Sequence, residues 1–174
     1  DTGIKVEVIS GDLEAEIIYE NHIAELLDAT KSYLYIDVGG GSTEVTLFHK
    51  SAVAFQKSFN IGTVRLLTNK VEDATWEDLK QTLKEIGRTY PKLVAIGSGG
   101  NINKIYSMIN SKNIKSIPIE VIREFLRVLE PMTVDERMHT YLLKRDRADV
   151  IVPALNIYAY TMKWANIDEI YVPK

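Results

Sequence analysis

Three consecutive glycines between two carboxylates are the first residues in this chain whose types and spacing suit chemistry. The segment is Asp37-Val38-Gly39-Gly40-Gly41-Ser42-Thr43-Glu44. Without side chains, Gly39, Gly40 and Gly41 let the backbone approach a ligand closely and aim several N–H groups at one point. Such a nest suits an anion, phosphate above all. Asp37 closes an apolar run and is placed to hold Mg²⁺ directly or through water. The hydroxyls of Ser42 and Thr43 are donors for phosphate oxygens, and Glu44 follows on the next strand. A plain glycine hairpin with a flanking carboxylate is the simpler account. Hairpins seldom need three glycines, however, and a charge at the end of a buried strand requires a reason.

Three further segments carry weaker signals. In Ser10-Gly11-Asp12-Leu13-Glu14-Ala15-Glu16 a strand gives way to a helix, and Glu14 in the first turn is placed to orient and deprotonate a water. Acidic residues are also favoured at helix N-termini for purely electrostatic reasons. Ala95-Ile96-Gly97-Ser98-Gly99-Gly100-Asn101 joins a strand to a helix N-terminus, a geometry that favours anions and equally serves close backbone packing. Its spacing is not that of a Walker or dinucleotide fingerprint. Asn60-Ile61-Gly62-Thr63-Val64-Arg65 would turn the Arg65 guanidinium toward phosphate, or leave an ordinary surface arginine after a turn.

The elements that must position these residues are legible from periodicity. Ile4–Ile9, Tyr33–Val38, Thr43–Phe48 and Ala52–Asn60 read as strands, the last three antiparallel in sequence order. A helix is expected over Leu13–Ala29 and a short one within Ile61–Asn69. Trp76, Leu79, Leu83, Ile86 and Tyr90 recur at helical spacing, with Thr75 as the expected cap. Leu93–Gly97 is a short apolar strand followed by a helix through Met108, with Asn110–Ser116 as a loop. Ile119–Leu129 is an amphipathic helix, and Thr133-Val134-Asp135-Glu136 is a capping box. Asp149–Ala165 is a helix containing Pro153, and Ile170–Val172 a final strand. From Tyr33 onward the order is βββαβαβ, that of an α/β ribonuclease H-like domain with a five-stranded mixed sheet flanked by helices. Residues 1–174 are expected to form that one domain. Strand Ile4–Ile9 beside Tyr33–Val38 would bring Glu14, Asp37 and Glu44 to one edge.

Composition narrows the function. The 174 residues carry 21 Lys+Arg against 24 Asp+Glu, a formal net charge of -3. This argues against a broad nucleic-acid or membrane surface and requires any polyanion site to be local. No Cys is present, so thiolate metal sites and Cys nucleophiles are excluded. His22, His49 and His139 lack the spacing of a zinc site. No apolar run reaches membrane-spanning length, and no signal peptide is visible.

In this order, VISGDLEAE, DVGGGSTE, IGTVR, IGSGGN and RADVIVP (Arg147 to Pro153) resemble the exopolyphosphatase/guanosine pentaphosphate phosphatase family along essentially the whole chain. That resemblance implies the second of two ribonuclease H-like domains of the sugar kinase/actin/heat-shock ATPase superfold, with the first domain absent from this chain. It implies a cytoplasmic, Mg²⁺-dependent hydrolase of terminal phosphoanhydrides in polyphosphate or guanosine polyphosphates. Glu14 then matches the water-activating glutamate and Asp37 and Glu44 the metal-handling acids. Gly39, Gly40, Gly41, Ser42 and Thr43 match the second phosphate loop, with Arg65 at the following G-x-V-R-type turn. Leu13 and Glu16 depart from the family's E-E-A-R stretch, which favours the alternative of a non-catalytic polyphosphate- or nucleotide-binding regulatory module. The partners so implied are the polyanion and the absent N-terminal domain, with homodimerisation left open.

Overall fold

The computed structural model describes residues 30–109 and 116–173. The expected strand Ile4–Ile9, the helix Leu13–Ala29 and Glu14 lie outside the described residues.

Three strands open the described chain: β1 (Ser32–Val38), β2 (Thr43–His49) and β3 (Ala52–Phe59). They pair antiparallel in sequence order, as the alternation and the tight glycine turn require. Helices α1 (Thr63–Leu67) and α2 (Asp73–Thr89) follow, then β4 (Leu93–Ser98) and α3 (Gly100–Met108). The remainder is β5 (Ser116–Pro118), α4 (Ile119–Leu129), α5 (Val134–Tyr141), α6 (Arg145–Ala165) and β6 (Glu169–Tyr171).

The sheet has six strands rather than five, in the order β3-β2-β1-β4-β6-β5. β4 runs parallel to β1 and β6 parallel to β4, while β5 is antiparallel to β6. β5 is the addition to the expected five. Three residues are too few to show alternation, and Pro118 argues against a strand unless it lies at an edge, where β5 in fact sits. Two helix starts also differ. α2 begins at Asp73 after Glu72, so Thr75 lies inside the helix and does not cap it. α6 begins four residues before Asp149, because Lys144 takes the extended cap conformation ahead of the polar turn Arg145-Asp146-Arg147. The capping box is present: the Thr133 hydroxyl accepts from the Glu136 amide and the Glu136 carboxylate from the Thr133 amide.

The described helices cover one face of the sheet. There Leu34, Ile36, Val38, Val45 and Leu47 pack with Leu79, Leu83 and Ile86 of α2 and with Ala154, Leu155, Ile157 and Tyr158 of α6. The other face carries Tyr33, Tyr35, Phe48 and Ile96, all buried. Side chains alternate along a strand, so Asp37 is the next residue after Tyr33 and Tyr35 on that aromatic face. The carboxylate thus ends a buried row at the edge where β1 passes into the glycine turn.

Candidate functional site

The glycine turn is held from below by its own carbonyl groups. The Gly39 amide donates to the Ser42 carbonyl at 2.9 Å and closes the hairpin. The other carbonyls are met by the first turn of α1. Thr63 N–H donates to Gly39 at 3.0 Å, while Val64 and Arg65 N–H donate to Gly40 at 2.9 and 3.3 Å. The Arg65 Nε donates to the Gly41 carbonyl at 2.6 Å. The amides of α1 therefore serve the turn and not a ligand. With the carbonyls so engaged, the amides of Gly40, Gly41 and Ser42 have no partner among the described residues, the arrangement an anion nest needs. Gly62 makes the contact feasible: a Cβ there would lie 2.3 Å from the Gly40 oxygen and 2.5 Å from the Gly41 carbonyl carbon.

The polar side chains divide by face. Ser42 donates to Glu44 Oε1 at 2.6 Å, and Ser58 donates to the same oxygen at 3.2 Å. Thr43 corrects an expectation. Its side chain is buried and its hydroxyl donates to the Ile61 carbonyl at 2.6 Å, so it locks the turn to the chain entering α1 and presents no donor to a phosphate. The register explains this, since Thr43 pairs with the core residue Val38 and shares its face.

Asp37 pairs with Glu44 across β1–β2 and with Ser98 across β1–β4, and Glu44 pairs with Ser58. Four oxygen-bearing side chains thus form one row across four strands. Directly opposed carboxylates repel at a Cβ spacing of about 5 Å, a cost that a cation removes. No cluster of three or more metal-binding His, Cys, Asp or Glu residues exists among the described residues. Two carboxylates with hydroxyls beside them form an all-oxygen set that fits Mg²⁺, which retains most of its waters. Asp37 also bears on the second glycine segment. Gly99 has φ +91°, and a Cβ there would lie 2.4 Å from Asp37 Oδ1, so the carboxylate rests on bare backbone.

Val38 is held from beneath by two residues that carry no signal of their own in the sequence. Asn101 Nδ2 donates to the Val38 carbonyl at 2.7 Å. The Tyr158 hydroxyl donates to the Ser98 carbonyl at 3.3 Å, with the Val38 amide beside it. Complete burial, and after it the Asp37 charge, push the Tyr158 pKa well above the ordinary phenol value, so this hydroxyl remains a neutral donor. A second arginine position also emerges. Arg147 lies against the second glycine segment, its terminal nitrogens 3.0 and 3.1 Å from where a Gly100 Cβ would be. RADVIVP was legible as a motif, but nothing local in it says that Arg147 folds back onto Gly100. Glu14 and its convergence with Asp37 and Glu44 lie outside the described residues, but the place beside Tyr33–Val38 expected for Ile4–Ile9 is taken, since β2 and β4 flank β1.

The chain is thus an α/β domain with a mixed sheet whose carbonyl-locked glycine turn is flanked by two carboxylates. The match to known proteins is specific. The profile of the Ppx/GppA phosphatase family covers residues 1–173, and the chain belongs to that family. It is 32% identical over 127 residues to a guanosine-5'-triphosphate,3'-diphosphate pyrophosphatase of Pseudoalteromonas translucida, covering 66% of this chain and 25% of that protein. It is 28% identical over 169 residues to exopolyphosphatase 2 of Mycobacterium tuberculosis, covering 86% of this chain and 53% of that one. The fold matches the crystal structure of the Aquifex aeolicus Ppx/GppA family member with a TM-score of 0.73 at 22% identity, over 100% of this chain and 62% of that one. The chain thus spans between a quarter and about half of these two curated relatives. Among the described residues no helix is long and apolar enough to cross a membrane.

Proposed function

We propose that this chain supplies one wall of the active site of a Mg²⁺-dependent phosphohydrolase that removes the terminal phosphate of polyphosphate or of a guanosine penta- or tetraphosphate. Membership in a phosphatase family supports the reaction class. The observation that carries the local assignment is the glycine turn: its carbonyls are bonded to Thr63, Val64 and Arg65, which leaves the Gly40, Gly41 and Ser42 amides for a phosphate. The Arg65 guanidinium, fixed through Nε, has its terminal nitrogens for a second oxygen. Asp37 and Glu44 hold Mg²⁺, which when bound neutralises phosphate charge and orders water. Glu14 acts as the base toward the attacking water. Charge stabilisation of this kind requires several fixed donors on one phosphoryl group. A further domain supplies the opposite wall, in keeping with the share of its relatives that the chain spans.

The test is phosphate release from long-chain polyphosphate and from guanosine pentaphosphate by a polypeptide that joins this chain to the family's other domain, with and without Mg²⁺. Release from either substrate that requires Mg²⁺ is expected. Tight binding of both without release would sink the hydrolase reading and leave a sensing module.

A further inference from the structure

We propose that the groove between α2 and α6 is a binding site for an uncharged nucleobase-type heterocycle, a flat ring that carries a hydrogen-bond donor and acceptor side by side. The site is independent of the phosphate chemistry at the glycine turn. The cavity has a volume of about 680 Å³, within the usual range for small-molecule sites.

One wall of it is aromatic. Tyr160 and Trp164 lie one turn apart on α6 with centroids 5.2 Å apart and planes within 19° of parallel. Trp76 of α2 meets both edge-on, at 5.6 and 5.9 Å. Tyr160 remains 43% exposed. A stacked pair with an open face suits a π-system, because any flat heterocycle has a face to lay on it.

The lining also holds a fixed polar group. Arg137 is only 9% exposed, and its Nε and Nη1 donate to the Leu129 and Ala148 carbonyls at 3.0 and 3.1 Å. Its Nη2 and the second N–H of Nη1 remain as donors on a guanidinium that lines the cavity. Burial lowers the Arg137 pKa and Asp149 opposes that shift, yet the two form no ion pair within 4.0 Å among the described residues. Asp149 and Asn156 also line the groove, on the same helix as Tyr160 and Trp164. Pro153, also in the lining, has no N–H to give to the Asp149 carbonyl one turn earlier. The lining thus offers donors from Arg137, acceptors from Asp149, and both from Asn156.

At the polar end of the groove the Arg137 and Asp149 charges oppose each other, which suits a neutral group carrying a donor and an acceptor. Asp73, Glu77 and Asp149 oppose Lys80 and Arg137 in the lining, and Lys80 is already bonded to Glu77 at 2.7 Å. An anion would meet the uncompensated carboxylates. A cation would meet Arg137. A lactam edge, carbonyl toward Arg137 and N–H toward Asp149, satisfies both groups.

The chain's two tryptophans, Trp76 and Trp164, both line this groove, so intrinsic emission reports its occupancy. Titration of the 174-residue chain with inosine is expected to give saturable quenching. Purine riboside keeps the ring and loses the lactam edge, and should bind about tenfold more weakly. Tyr160→Ala should remove the quenching, and Asn156→Ala should weaken it, with far-UV circular dichroism unchanged. Inosine that fails to saturate, or equal affinity for the two nucleosides, would overturn the assignment. So would displacement of inosine by tripolyphosphate, which would put the ligand at the glycine turn. Ligand-free emission that changes with protein concentration would make the groove a contact between two copies and would equally overturn it.

Discussion

Gly62 and Gly41 separate two roles within the same glycine-rich site. A Cβ at Gly62 would meet the Gly40 carbonyl at 2.3 Å, and backbone cannot rotate away as a side chain can. Relief requires moving α1 off the turn, which breaks the Thr63 and Val64 bonds to Gly39 and Gly40. Gly62→Ala should therefore cost about 1–3 kcal/mol of stability and also abolish tripolyphosphate binding by calorimetry. A Cβ at Gly41 meets nothing within 4 Å. Gly41→Ala should melt like the parent chain yet bind tripolyphosphate more weakly, because the added methyl occupies the space the ligand needs. Equal stability in both variants would remove the packing role given to Gly62. The glycine turn itself was legible because it is local: three glycines and two carboxylates within eight residues. The turned-in Thr43 was not read, although parity contains it, since the pairing of Val38 with Thr43 sets both on the core face. Arg65 and Arg147 reach backbone far from them in sequence, and spacing along the chain carries no signal of that kind.

At the scale of elements, α6 links the site to the rest of the domain. Tyr158 reaches the ends of β1 and β4 from its buried face, while Tyr160 and Trp164 line the groove. Tyr158→Phe removes the donor to the Ser98 carbonyl. Losing that part-buried bond should cost roughly 0.5–1.5 kcal/mol in urea denaturation, with circular dichroism unchanged in the native state. α6 also crosses α2 closely near their C-terminal ends, where a Cβ on Gly87 would lie 2.4 Å from the Ala165 carbonyl oxygen. Gly87→Ala would raise helix propensity in isolation, yet here it should destabilise, by about 1–3 kcal/mol, because two backbones must separate. A melting temperature at or above that of the parent chain would show that the helices have room to shift. This crossing was not visible in the sequence, where Gly87 reads only as a weak point in a well-patterned helix. The helices themselves were visible, since Leu79, Leu83 and Ile86 repeat at helical spacing and all three are buried. β5 escaped notice because its three residues gain strand character only from pairing with β6.

The whole molecule sets the last expectation. In the proposed site the amides of Gly40, Gly41 and Ser42 and the Arg65 guanidinium would meet a phosphate from one side, and the Asp37–Glu44 pair that would hold the metal sits at the same edge of the sheet. Phosphoryl transfer gains mainly from positioning and from charge stabilisation around the whole phosphoryl group. A phosphate bound at this edge alone keeps water on its other oxygens, and that water competes for the same amides. Each missing donor typically lowers the rate by about 10²-fold or more. The 174-residue chain alone should therefore release phosphate from polyphosphate at least about 10²-fold more slowly than a polypeptide joining it to the family's other domain. In the joined polypeptide Glu14→Gln should reduce kcat by about 10²–10⁴-fold, the range of a general base. Tripolyphosphate affinity should change little, because the substitution keeps size and removes only the basic oxygen. Steady-state phosphate release with parallel calorimetry makes the comparison. Equal rates for the single chain and the joined polypeptide would show that one wall suffices. Undiminished kcat in Glu14→Gln would move the base to another residue, with Glu44, already opposite Asp37 and bonded to Ser42 and Ser58, the first to substitute.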